Sequence, residues 1–188
     1  MSLQSAINKI SPLEHSVMVE LELIATYQFI AKGDHIATAG HPFSFEVFVI
    51  NGLVRTYFKV NDELEYNSSF YQNDQFLSPH FSRTREVNSI INIQALEDTE
   101  VALFEEKSFT QLRYRYPSLL QLGNHVAQQE LISKYRKELL MATRTAHERY
   151  ENFMKEFPQL INRLPLQQIA MYLGISPVSL SRIRSLKK

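Results

Sequence analysis

The sequence predicts an α+β fold: a strand-rich N-terminal portion, then a long helix, then a C-terminal helix-turn-helix. Three observations predict it. Between residues 26 and 104, short runs rich in β-branched and aromatic residues alternate with turn formers. Residues 118–143 contain no proline and a single glycine, which suits an uninterrupted helix. Residues 166–185 set small, apolar and turn-forming residues where two short helices meeting at a sharp bend need them.

Residues 3–24 carry Ile7, Ile10, Val17, Leu21 and Ile24 at helical spacing, broken by Pro12, so two short helices or turns are expected. Residues 47–50, 54–60 and 89–95 read as strands, with turns at Lys32-Gly33-Asp34, Asn51-Gly52, Asn61-Asp62 and Glu97-Asp98. Ile91, Ile93 and Ala95 alternate with Asn92 and Gln94, the period of a strand with one buried face. Asn51-Gly52 between two apolar runs predicts a tight hairpin. Strands at this spacing make a small sandwich or roll. Residues 108–116 form a short helix ended by Pro117. Within the long helix that follows, Gln128, Ile132, Tyr135, Leu139, Ala142 and Ala146 recur at steps of 4, 3, 4, 3 and 4, close to a coiled-coil seam. Such a helix either pairs with its copy in a second subunit or lies on the strands of its own chain. Residues 147–157 form another amphipathic helix, stopped by Pro158.

Composition narrows the function classes. The 188 residues include no cysteine, which excludes disulfides, thiolate-held clusters and Cys-based zinc sites. No apolar run reaches the roughly 18 residues of a membrane helix, and residues 1–10 lack a secretory pattern, so a cytoplasmic protein is expected. The zero net charge conceals an asymmetry. Residues 1–107 hold 15 acidic and 7 basic side chains, and residues 108–188 hold 5 and 13. A basic C-terminal half points to an anionic partner. From 161 to 188 there are five basic residues (Arg163, Arg182, Arg184, Lys187, Lys188) and no acid.

Residues 166–185 fit a DNA-reading helix-turn-helix position by position. Ile169 and Leu173 face inward, and Ala170 is small enough for the second helix to approach. Gly174 makes the bend, where positive φ is cheap only without a side chain. Ile175 plugs the turn, and Leu180 and Ile183 anchor the second helix. Ser176-Pro177 is a helix start, with serine capping and proline in the first turn. Val178, Ser181, Arg182 and Ser185 then project outward, toward a major groove. The expected DNA contacts are Gln167, Ser176 and Ser179 on phosphates, Arg182 on a guanine edge, and Pro177-Val178 at the helix start, Val178 against a thymine methyl.

The stretch Leu166-Gln-Gln-Ile-Ala-Met-Tyr-Leu-Gly-Ile-Ser-Pro-Val-Ser-Leu-Ser-Arg-Ile-Arg184 resembles the DNA-binding signature of the Crp/Fnr family of bacterial regulators. Ala31-Lys-Gly-Asp-His-Ile36, Gly40, Val49-Ile-Asn-Gly-Leu-Val-Arg55 and Ala95-Leu-Glu-Asp-Thr-Glu-Val101 are similar to the turns and strands of its cyclic-nucleotide-binding roll. The resemblance implies a double-stranded β-helix (β-roll) effector domain with flanking helices over 1–107, linker and dimerisation helices over 108–147, and a DNA-binding helix-turn-helix over 148–188. It implies a transcription regulator, not an enzyme, whose partners are double-stranded DNA, a second copy of the chain, an unknown small-molecule effector and, as a further candidate, RNA polymerase.

Two departures qualify it. The arginine that holds the cyclic phosphate in nucleotide-binding members is replaced by Ser89, so cyclic AMP loses a charge-assisted partner and is not expected to bind; Arg83 and Arg85 are the nearby substitutes. Pro177-Val178 stands where members often have Arg-Glu, and only five residues follow Ile183, too few for the usual β-hairpin wing. The other reading is therefore an interaction module that binds a ligand or protein and has lost specific DNA recognition. His41 and Glu46 are similar to part of a cupin metal motif, but Ala39 replaces its partner histidine, so no metal, catalytic group or other cofactor is assigned.

Overall fold

Helices α1 (Leu3–Ile10) and α2 (His15–Leu23) open the chain on either side of Pro12, as the apolar spacing predicts. The structure, a computed structural model, describes residues 3–61 and 64–185. One sheet contains β1 (Ala25–Ile30), β3 (Phe45–Asn51), β6 (Gln75–Phe76) and β10 (Thr99–Glu105), in the order β1-β10-β3-β6. A second contains β2 (His35–Ala37), β4 (Leu53–Lys59), β5 (Glu65–Gln72) and β9 (Asn92–Ala95), in the order β2-β9-β4-β5. Between β6 and β9 come the single-turn α3 (His80–Arg83) and the small hairpin β7 (Thr84–Arg85) and β8 (Asn88–Ser89). The chain divides into two units, Met1–Tyr57 with Phe70–Glu130, and Phe58–Ser69 with Leu131–Lys188.

Strand alternation organises the first unit. Val47, Val49, Val101 and Leu103 turn one way and join Val54 and Ile93 of the second sheet in a common core. Phe48, Ala102 and Phe104 turn the other way. They pack with α1, α2, α4 (Glu106–Arg115) and the start of α5 (Pro117–Thr143) through Ile7, Leu21, Phe109 and Leu119. Both faces of β3 and β10 are thus buried, so these strands read as nearly continuous apolar runs. In β9, Ile93 and Ala95 are fully buried as the period predicts. Asn92 is buried too, its side-chain oxygen accepting from the Ala39 N–H.

Asn51-Gly52 is not a hairpin turn. β3 pairs with β10 and β6, whereas β4 pairs with β9, so the chain steps there from one sheet to the other. Gly52 has φ 123°, and a Cβ on it would lie 2.4 Å from the Thr99 hydroxyl oxygen. Glycine serves close approach of two strands here rather than a two-residue turn.

The helix at 117–143 forms as one element, with Pro117 in its first turn, where a missing N–H is harmless. It has two surroundings. Leu119 and Leu122 are buried in the first unit, while Leu131, Ile132, Tyr135 and Leu139 are 43–65% exposed. The expected seam is shorter than its spacing suggests: α5 ends at Thr143, and Ala146 belongs to α6 (Ala146–Glu156). Thr145 caps α6, and Glu148 reaches back to the Thr145 N–H, a capping box that starts a new helix.

Candidate nucleic-acid interface

The second unit carries α6, α7 (Leu166–Leu173) and α8 (Pro177–Ser185). On α7 the residues Ile169, Ala170, Tyr172 and Leu173 are buried, and on α8 Leu180 is fully buried. Ile175 and Ile183 are half-buried. Tyr172 was not among the expected anchors. Its ring packs 5.4 Å from Phe153 and 5.8 Å from Phe157, both on or beside α6, so an aromatic cluster carries part of the load otherwise left to aliphatic residues.

The bend between the helices has the local chemistry the sequence requires. Gly174 adopts φ 64°, ψ 39°, and its N–H bonds to the Ala170 carbonyl, which the Ile175 N–H also reaches at 3.1 Å. This closes α7 in a left-handed cap. Ser176 Oγ then accepts the Ser179 N–H at 3.1 Å and lies 2.9 Å from Ser179 Oγ, satisfying an orphan amide at the start of α8.

Gln167, Ser176, Pro177, Val178 and Arg182 are exposed, Val178 by 61%. Ser179 is half-buried beside Ser176. The start of α8 therefore presents a helix N-terminus, a hydroxyl and an apolar patch, and Arg182 lies one turn further along. Such a surface can accept phosphate oxygens at the helix end and offer a guanidinium to a base edge. Lys187 and Lys188 of the basic tail lie outside the described residues.

A neighbouring cluster is invisible to the sequence pattern. Asn67 on β5 is completely buried, and its side-chain amide donates to the main-chain and side-chain oxygens of Gln168 at 2.9 and 2.8 Å. From α5, Lys137 Nζ donates to the carbonyls of Asn67 and Ser68. It sits 3.7 Å from the ring centroid of Tyr172 and 4.4 Å from that of Tyr66. Lys134 donates to the hydroxyls of Ser68 and Ser69, both at 2.6 Å. Burial pushes the Lys137 ammonium down to about 6, reinforced by the Lys134 cation and opposed by Glu156. The hydrogen-bonded partners are 65 to 101 residues apart in sequence, beyond the reach of any local motif.

In the first unit, Ser89 is buried and its hydroxyl donates to the Ile91 carbonyl at 2.7 Å. Arg83 is only 1% exposed and turns inward: Nε donates to the Ser78 carbonyl at 2.8 Å, one terminal nitrogen meets the Phe45 carbonyl and Glu46, and the other is buried without a hydrogen-bond partner among the described residues. Glu46 also accepts the His80 N–H. Burial pushes the Glu46 carboxyl up, and the adjacent Arg83 charge opposes that shift. The void bordered by Glu46, Phe76, Phe109 and Arg113 has a volume of about 20 Å³, room for about one water. His41 is exposed and does not approach a ligand set with Glu46; among the described residues no three potential metal ligands cluster. Among them, too, no helix is long and apolar enough to cross a membrane.

This assembly of two sheets, a long helix and a terminal helix pair is the fold of the Crp/Fnr transcription regulators. The structure of FixK2 from Bradyrhizobium japonicum matches at 21% identity and TM-score 0.75, over 87% of this chain and 84% of that one. The c-di-GMP responsive global regulator CLP of Xanthomonas campestris matches at 14% identity and TM-score 0.79, over 93% and 92%. A transcriptional regulator of the Crp/Fnr family from Eubacterium rectale matches at 16% identity and TM-score 0.71, over 93% and 84%. At these identities the likeness is one of fold. No protein-family model matches the sequence, and no curated protein matches it.

Proposed function

We propose that the protein is a homodimeric, sequence-specific DNA-binding transcription regulator. In this reading 1–107 is a double-stranded β-helix (β-roll) effector domain, 108–147 supplies linker and dimerisation helices, and 148–188 is the helix-turn-helix reader. One observation carries it: the α7–Gly174–α8 geometry, with Gly174 in the left-handed region, Ser176 capping α8, and Arg182 exposed. Gln167, Ser176 and Ser179 fix the register on phosphates, Arg182 reads a guanine, and Pro177 and Val178 meet the groove edge, Val178 against a thymine methyl. The exposed apolar run on α5 supports pairing with a second copy, which places two readers about one helical turn apart. The effector is a small molecule other than cyclic AMP, because Ser89 offers no cation and Arg83 is buried and paired with Glu46. RNA polymerase is a further candidate partner, on which activation by such a regulator would depend.

The direct test is Arg182→Ala, measured against a selected duplex. Specific affinity is expected to fall by about 1–3 kcal/mol, with relaxed base choice at one position. Equal affinity and equal selectivity of the two proteins would remove Arg182 as the reader. The exposed Val178 favours a second reading, an interaction module without specific DNA recognition. Under that reading binding is weak, salt-sensitive and indifferent to sequence.

A further inference from the structure

The geometry points to Asn67 as a positioning residue for the reader: through Gln168 it fixes the setting of α7, and thereby the base-reading face of α8. The inference rests on the DNA-reading function proposed above. Gln168 lies next to the exposed Gln167 and two positions into α7. Its carbonyl sits where a helix accepts the N–H of Tyr172, four residues on. Asn67 adds a second donor to that carbonyl and, with the same nitrogen, holds the Gln168 side-chain oxygen.

Tyr172, one turn further, is held by Lys137 over its ring. The same side-chain nitrogen donates to the main chain at Asn67 and Ser68, and Lys134 anchors the two serine hydroxyls beside it. Two points on α7, one turn apart, are thus tied, Gln168 to β5 and Tyr172 to α5, and α5 itself grips the β5 segment. Two such ties resist rotation of α7 about its axis, as one apolar contact does not. An apolar residue fills the place of Asn67 with less desolvation, but it removes the directional tie to Gln168 and leaves the setting of α7 to apolar packing alone. Rotation matters because only Gly174, Ile175 and Ser176 separate α7 from α8, and two-pronged reading of a base by Arg182 tolerates little misalignment.

Asn67→Leu keeps the four-atom branched shape and removes the donor, and Asn67→Ala, which adds no bulk, serves as the second variant. Both are made in the full chain and titrated with the duplex selected by the wild type, across a salt series. Loss of directional hydrogen bonding is expected to lower specific affinity by about three- to tenfold. The slope of log affinity against log salt should stay unchanged, because no phosphate contact is lost. Affinity for random-sequence DNA and the cooperativity of thermal unfolding should also be retained. Unchanged specific affinity in Asn67→Leu, with cooperative unfolding intact, overturns the inference. Higher affinity overturns it in favour of a contact that holds the reader away from DNA. An equal loss on random DNA overturns it too, because the effect is then general instability. If the wild type selects no sequence at all, the DNA-reading function fails and takes this role with it. A selected site bound equally by all three proteins leaves that function standing and removes Asn67 alone.

Discussion

Changing Ile132 and Leu139 together to glutamate is expected to convert dimers into monomers and to weaken binding to a two-half-site operator by about 10²- to 10⁴-fold. Leu131, Ile132, Tyr135 and Leu139 stand 43–65% exposed along two turns of α5. An isolated apolar stripe of this kind is rarely left in water on a soluble helix and marks an interaction surface. Spacings of 3 and 4 bring Ile132, Tyr135 and Leu139 to one side of the helix, where a symmetric copy meets the same residues. Glutamates on such a seam oppose one another across the axis and desolvate charge, while in the free chain they face solvent and disturb little. Sedimentation velocity reads the mass directly. A sedimentation coefficient identical to that of the wild type, at equal concentration, places the dimer contact elsewhere.

Stability should rise with pH between about 6.5 and 9.5, and Lys137→Met should flatten that rise. Lys137 has its proton affinity lowered from an ordinary value of 10.5 to about 6 in the folded chain, first by burial and then by Lys134. Between those two values the unfolded chain holds a proton that the folded one lacks. Stability therefore increases with pH by up to about 1.4 kcal/mol per unit. The gain is complete above 10.5 and is lost as pH falls to about 6. The groups around Lys137 are Lys134 on its own helix, Glu156 and Arg149 from α6, and the rings of Tyr66 and Tyr172. Burial pushes the Glu156 carboxyl up and the Tyr66 hydroxyl up from 10.0; the tyrosine shift lies above the window, and the carboxyl acts from its acidic side. Chemical denaturation at several pH values measures the slope. A slope that persists in Lys137→Met assigns it to another group.

Local rules made much of this fold legible. Pro12 and Pro117 mark real helix limits, and Gly174 has the backbone conformation its place between Leu173 and Ile175 demands. Failures came where a residue type has two uses. Asn51-Gly52 looks like a turn because glycine favours tight hairpins, yet Gly52 is there because Thr99 leaves no room for a side chain. Ala146 continues the spacing of the α5 seam, but Thr145 and Glu148 form a capping box that ends the continuity. The outward faces of α7 and α8 follow from period and capping alone. Asn67, Lys137 and Tyr66 do not, because their role arises only when three segments distant in sequence meet. An isolated asparagine or lysine carries no sign of the partner it will find.

The most direct measurement is selection of binding sites by the full chain from a random duplex pool at moderate salt. The account predicts enrichment of a palindromic motif, its half-sites about one helical turn apart, with Arg182→Ala losing selectivity at one symmetric pair of positions. A pool that shows no enriched motif, or enrichment unaffected by Arg182→Ala, would contradict the assignment of α8 as the reader.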